Sequence, residues 1–272
     1  MHDFNLTPEE AKTLAWIHSN KFITTKLFHK KFVPENNFKT ACNHLDRLAK
    51  EKGLLKRVSA HQNADSFYFC TRGTIHRLRD MGLVLTAPQI RAPHESTFNK
   101  EHDKRVLEIR ILFENDSQIK NLIWLSDYEM QIGYKMEWKK TLMAGKGSEL
   151  KNVRLYKDEE KVPDGHFEAN LKGKDWEFIL EYEHSEYGKE KLNRVVRRIF
   201  KSYSKPIKLI VTKKASRTRV LMGKISQKIK DPQERAAWWF SDYEKVTSLP
   251  FLNVPWVDLD DFHPALIEPK ET

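Results

Sequence analysis

The sequence predicts an α/β (α+β) chain in two parts: a helix-rich N-terminal module closed by a hairpin, and a larger mixed-sheet domain. Three observations predict it. The 272 residues are enough for two modest cores. Helical spacing dominates the first 85 residues, whereas strand-like apolar runs alternate with helical patterns from about residue 98 onward. Between them, "TAPQIRAPHESTFN" carries two prolines and no apolar period, which predicts a linker over residues 86–97.

The elements of the first part follow in order. "LTPEEAKTLAWIHSN" offers Thr7 as N-cap, Pro8 at the first helical position and Glu10 three residues after the cap, the arrangement of a capping box. "ITTKLFHKKF" reads as a second short helix. "NNFKTACNHLDRLAKEKG" reads as a third, with Phe38, Ala41, Cys42, Leu45 and Leu48 at helical spacing and Gly53 as its stop. The β-prone arms Leu54 to Val58 and Ser66 to Phe69 flank a polar tip at His61 to Asp65, a hairpin pattern, and "RGTIHRLRDMG" adds a helix. Three helices followed by a hairpin make the order of a winged helix-turn-helix over residues 1–85. Its third helix would present Asn36, Asn37, Lys39, Asn43, His44 and Arg47 to base edges and phosphates of double-stranded DNA.

The second part spans residues 98–231. "KEHDKRVLEIRILFEN" is apolar around most of its circumference, a buried helix that carries Glu108 within that surround. "NLIWLSD" and "EMQIGYKMEW" are strand candidates, and "TLMAGKGSEL" reads as a loop. "NVRLYKDEEKVPDGHFEA" and "DWEFILEYEH" read as strands joined by a turn at Gly173. A basic helix, the strand "IKLIVT" and a helix from about Ser216 complete a mixed sheet with helices. Residues 232–272 read as one helical turn set around "ERAAWWFSDYEKV" and an irregular acidic end.

Forty-eight Lys+Arg against 38 Asp+Glu give a formal charge of +10 and favour a polyanionic partner. No apolar run approaches the roughly 20 residues that cross a bilayer, and "MHDFNLTPEE" lacks the apolar core of a signal peptide, so no membrane partner and a cytoplasmic location are expected. Cys42 and Cys70 have no CxxC spacing and read as two small buried thiols. His102, His166 and His184 lack metal-ligand spacing.

Period-two alternation along "DWEFILEYE" puts Trp176, Phe178, Leu180 and Tyr182 on one face and Glu177, Glu181 and Glu183 on the other. If the preceding strand pairs antiparallel through Gly173, Asp164 comes alongside Glu181 and Glu183, carboxylates suited to a hard cation. A half-exposed strand with a solvated charged face is the plain alternative. The basic helix that follows has Leu192, Val195, Val196, Ile199, Phe200 and Tyr203 on its apolar stripe. Lys189, Lys191, Arg194, Arg197, Arg198 and Lys201 cover most of the rest and suit a phosphate backbone. "TKKASRTR" adds Lys213, Lys214, Arg217 and Arg219.

The helix with Glu108, the Pro163-Asp164 pair and Glu181-Tyr182-Glu183 resemble the PD-(D/E)xK nuclease superfamily. Over about residues 7–212 the order of segments resembles more closely the replication-relaxation family of plasmids and other mobile elements. The shared features are the N-terminal module, "HD…VLEIR", "WLSDYE", "PD", "LEYE" and a helix ending in Lys201-x-Tyr203. The resemblance implies a metal-dependent DNA nuclease in which Asp164, Glu181 and Glu108 hold Mg²⁺ or Mn²⁺ and Glu183 holds a metal or orients water. It also implies a homodimer or mobilisation and replication proteins as further partners. Position 183 carries Glu where the superfamily has Lys, and Lys189 or Lys191 from the next helix would supply that charge. The other reading is a non-catalytic DNA-binding regulator or accessory protein with a degenerate nuclease fold.

Overall fold

The computed structural model describes residues 6–58, 65–84, 100–133, 162–184 and 206–260. The linker at 86–97, most of the hairpin tip, the "TLMAGKGSEL" loop and the basic helix with Lys189, Lys191, Arg194, Arg197, Arg198 and Lys201 lie outside these residues. The chain forms two compact units, residues 1–103 with 128–140, and residues 104–127 with 141–272. Both α-helices and β-strands are present in each.

The first unit opens with α1 (Pro8–Ser19). The capping box is complete: the Glu10 backbone N–H donates to Thr7 Oγ1 at 3.2 Å, and the Thr7 N–H donates to Glu10 Oε2 at 3.1 Å. Glu10 is buried and also takes Lys52 Nζ at 2.7 Å and Arg47 at 3.0 Å, so it ties the start of α1 to the end of the third helix. Ile23–Thr24 form a short strand, β1, before α2 (Thr25–Phe32), where the sequence predicts helix throughout. The difference is physical: Thr24 is extended, as an N-cap must be, and its side chain accepts from the Leu27 N–H.

The third helix, α3 (Phe38–Asp46), runs into a π turn at Arg47–Glu51. Strands β2 (Leu55–Val58) and β3 (Phe67–Cys70) follow, then α4 (Arg72–Asp80), capped by Thr71. β3 lies between β1 and β2, antiparallel to both. Cys70 is buried, but Cys42 is only partly so, which corrects the expectation of two buried thiols.

Residues 127–133 are helical. The strand expected over "EMQIGYKMEW" is therefore incorrect at its described start. Tyr128 and Ile132, four residues apart, are both buried, which is the spacing of one helix face.

The second unit is built on the sheet β4 (Ile119–Ser126), β5 (Gly165–Leu171), β6 (Lys174–Glu183), β7 (Ile207–Thr212) and β8 (Trp238–Asp242), neighbours in chain order. The first three form an antiparallel meander, and β7 and β8 add in parallel to β6. Lys172 (φ 51°) and Gly173 (φ 83°) both lie in the left-handed region, the two-residue turn whose twist matches a hairpin. At Gly165 a Cβ would collide with the Trp124 indole, so only glycine lets β4 and β5 pack at the start of β5.

Helix α5 (Lys100–Asn115) covers one face of the sheet with Ile109 and Phe113, against Phe167, Phe178, Leu180, Tyr182, Leu209, Val211 and Trp239. Helix α6 (Ala215–Ser226) covers the other with Leu221 and Ile225, against Ile210, Trp238 and Phe240. The stretch "ERAAWWFSDYEKV", expected as a helical turn, is instead a short helix α7 (Pro232–Ala236), strand β8 and α8 (Tyr243–Ser248). Trp238 and Phe240 enter one core and Trp239 the other. A strand buried on both faces has no polar alternation and reads as a continuous apolar run, which mimics a buried helix.

Candidate functional site

In the first unit, the six residues expected at DNA lie on α3 or at its two ends, and Asn36, before the N-cap, is exposed. Asn37, Lys39, Asn43 and Arg47 are exposed. Asn37 also has a structural duty: its Oδ1 accepts from the Thr40 N–H at 3.0 Å and caps the helix. His44 is half-buried, its ring 5.3 Å from that of Phe28. Burial, with the Arg47 charge adding to it, holds the imidazole below its ordinary pKa despite Glu10 and Glu9. Arg47 reaches back to Glu10. The outward set is thus Asn37 at the N-cap of α3 with Lys39 and Asn43 along the helix, while His44 and Arg47 line a cleft with Phe28, Phe32 and Lys52.

In the second unit the parallel strands end at one edge. Glu183, Thr212 and Asp242 form a row across β6, β7 and β8 there, the edge at which open α/β sheets place ligands. The antiparallel pairing of Gly165 with Leu180 sets Asp164 across from Glu181. Asp164 is held tightly: its N–H donates to the Leu180 carbonyl at 3.1 Å, and its Oδ2 accepts from the Tyr182 N–H at 2.7 Å. That bond anchors the carboxylate at the residue between Glu181 and Glu183. Both glutamates are buried, each 6% exposed, which excludes the solvated charged face that the sequence left open. Glu177, nearer the hairpin turn, is exposed and pairs with His166 at 2.8 Å.

Glu108 stands elsewhere. Its Oε2 accepts from the Tyr243 hydroxyl, and Arg105 lies 3.9 Å from the same oxygen and over the Tyr243 ring. The Tyr243 ring is 5.5 Å from that of Tyr182, so this cluster is on the Tyr182 side of β6 and Glu181 and Glu183 are on the opposite side. Burial and the bond to Glu108 raise the Tyr243 pKa. Tyr243 is 135 residues from Glu108 in sequence, and no spacing signals the pair.

Beside Glu183 a recess of about 170 Å³ is lined by Glu183, His184, Lys213, Lys214, Ser216, Arg217 and Val220. The Lys213 N–H donates to the Glu183 carbonyl at 3.1 Å, which brings the β7–α6 turn against the end of β6. The signal for this recess was the cationic "TKKASR" directly after a strand run, but His184 carried none.

Among the described residues no group of three or more His, Cys, Asp or Glu side chains is arranged to hold a metal ion. A pair of carboxylates completed by water is the common protein share of a Mg²⁺ site, and Asp164 with Glu181 fits that smaller donor set. Among the described residues no helix is long and apolar enough to cross a membrane. Comparison of the chain with protein-family models, with curated proteins and with solved structures finds no match.

Proposed function

We propose that the protein binds double-stranded DNA through its first unit and acts on the phosphodiester backbone with a nuclease-like second unit. The observation that carries the reading is the register that sets the anchored Asp164 across from buried Glu181, with Glu183 two residues on, at the carboxyl edge of parallel strands. Two buried glutamates and a partly buried aspartate are oxygen donors of the kind that a divalent cation over a phosphate takes.

Asp164 and Glu181 would hold Mg²⁺ or Mn²⁺. When bound, the ion supplies Lewis-acid polarisation of the phosphodiester and a hydroxide from its water. Glu183, on the same face of β6, orients the attacking water and accepts its proton. The Tyr182 N–H keeps the Asp164 carboxylate in place as the backbone charge arrives. Glu108, across the sheet, ties α5 to α8 and takes no part. In the first unit, the order of three helices and a hairpin with β1 completing its sheet supports the winged-helix reading, with Lys39 and Asn43 toward the groove.

Supercoiled plasmid incubated with the protein and Mg²⁺ or Mn²⁺ is expected to be nicked, and Asp164→Asn or Glu181→Gln is expected to abolish nicking. The asparagine keeps an acceptor for Tyr182, so loss reports the charge. Nicking that survives both substitutions overturns the catalytic assignment. Glu183 in the place of a lysine favours a second reading, a DNA-binding regulator or accessory protein on a degenerate nuclease fold. That reading predicts binding without cleavage under any divalent ion.

A further inference from the structure

We propose that the recess at the start of α6 is a phosphate-binding subsite that grips the DNA backbone independently of any metal ion, through Lys213, Lys214 and Arg217. The inference rests on the DNA-binding reading above and names a grip on the backbone that the sequence assigned to the helix after β6. The three cations come from five consecutive residues, Lys213 to Arg217, yet face one cavity because the chain leaves β7 and turns at once into α6. Ser216 adds a hydroxyl to the same wall.

The recess of about 170 Å³ is larger than one water and far smaller than a drug-sized pocket, which suits a single phosphate group. Among the described residues that line the recess, three cations stand beside one carboxylate, Glu183, a balance that favours an anion. The positive end of the twelve-residue α6 adds to that field, and its first turn contains no acidic residue. Glu183 is shared between this recess and the buried acidic face of β6. A phosphate seated on Lys213, Lys214 and Arg217 therefore lies next to the carboxylates, and the chain supplies from the β7–α6 turn and the first turn of α6 the positive charge that position 183 lacks.

The test is the salt dependence of affinity for a duplex of about 20 base pairs, measured by fluorescence anisotropy from about 50 to 200 mM salt without divalent ions. Removing one cation that neutralises a phosphate should reduce the slope of log K against log[salt] by about 0.9. One phosphate in the recess accounts for about 0.9 of the slope, so the triple variant Lys213→Gln/Lys214→Gln/Arg217→Gln is expected to lower it by about 0.9 and the double variant Lys213→Gln/Lys214→Gln by most of that. The double variant changes only exposed side chains and guards against a folding defect at the half-buried Arg217. Lys228→Gln/Lys230→Gln removes the same charge as the double variant away from the recess and should leave the slope unchanged. An unchanged slope in the double and triple variants overturns the subsite, as does an equal fall in the control. Wild-type protein with no salt-dependent affinity overturns the DNA-binding reading itself, and the subsite with it.

Discussion

Phe178→Ala is expected to destabilise the second unit by about 3–5 kcal/mol, the cost of a large cavity in a core that cannot collapse onto it. Phe178 is fully buried in the middle of β6. Its ring stacks on Phe167 at 4.9 Å and meets Trp239 at 5.9 Å and Phe251 at 5.7 Å edge-on. Those partners come from a neighbouring strand, the last strand and the segment beyond it, each held by its own hydrogen bonds. A loss of that size is a large part of the stability of a typical domain. Urea unfolding followed by tryptophan fluorescence should show the midpoint of the second unit falling sharply. A change below about 1 kcal/mol would contradict the packing described.

The first unit is expected to lose about 3 kcal/mol of stability as pH falls from about 6.5 to about 4, and His18 is the cause. His18 is 2% exposed, its ring meets Tyr128 edge-on at 5.3 Å, and its Nε2 has no hydrogen-bond partner among the described residues. Burial pushes its pKa down to about 4 from an ordinary 6.5. Between those values the unfolded chain binds a proton that the folded chain refuses, so stability rises with pH across that window and is fully present above it. The neighbouring Tyr128 hydroxyl, pushed up to about 12 by burial, and the Cys70 thiol, also raised by burial, stay protonated throughout.

Glu10 adds a second acid limb at lower pH. Burial alone would raise its pKa, but the hydrogen bonds from Lys52 and the Thr7 N–H, with the charges of Lys52 and Arg47, outweigh burial and hold it below 4.5. Its contribution is present above that value and is lost as pH falls through the depressed one. His18→Phe keeps a ring against Tyr128 and should remove the limb between about 6.5 and 4, leaving only that of Glu10. Thermal melting of the full chain at a series of pH values measures both. Acid sensitivity unchanged in His18→Phe would contradict the assignment.

The parts of this architecture legible in the sequence are those where local chemistry decides. Thr7 and Glu10 are three residues apart and satisfy each other's backbone donors whatever else the chain does. Gly173 sits where only a left-handed turn closes the hairpin, and period-two alternation then sends Glu181 and Glu183 to one side. From those two facts the position of Asp164 across from Glu181 follows by register, so local pattern alone locates the acidic site.

What the sequence hid depends on partners far along the chain. Trp238–Asp242 pairs in parallel with β7 and is buried on both faces, and its apolar run carries no period to announce that. Glu108 looked like a candidate ligand until Tyr243 claimed it from the opposite side of the sheet. His44 sits at a helical position that pattern alone calls outward, yet the Phe28 ring draws it inward. The recess of Lys213, Lys214 and Arg217 required knowing that β7 ends beside β6 in parallel.

The central claim, that Asp164 and Glu181 form a metal-binding pair, is tested most directly by an anomalous difference map from crystals of the protein grown with Mn²⁺. A peak is expected about 2 Å from a carboxylate oxygen of each residue, absent from crystals of Asp164→Asn. A map with no peak there at saturating Mn²⁺, or one whose peak persists in the Asp164→Asn protein, would contradict it.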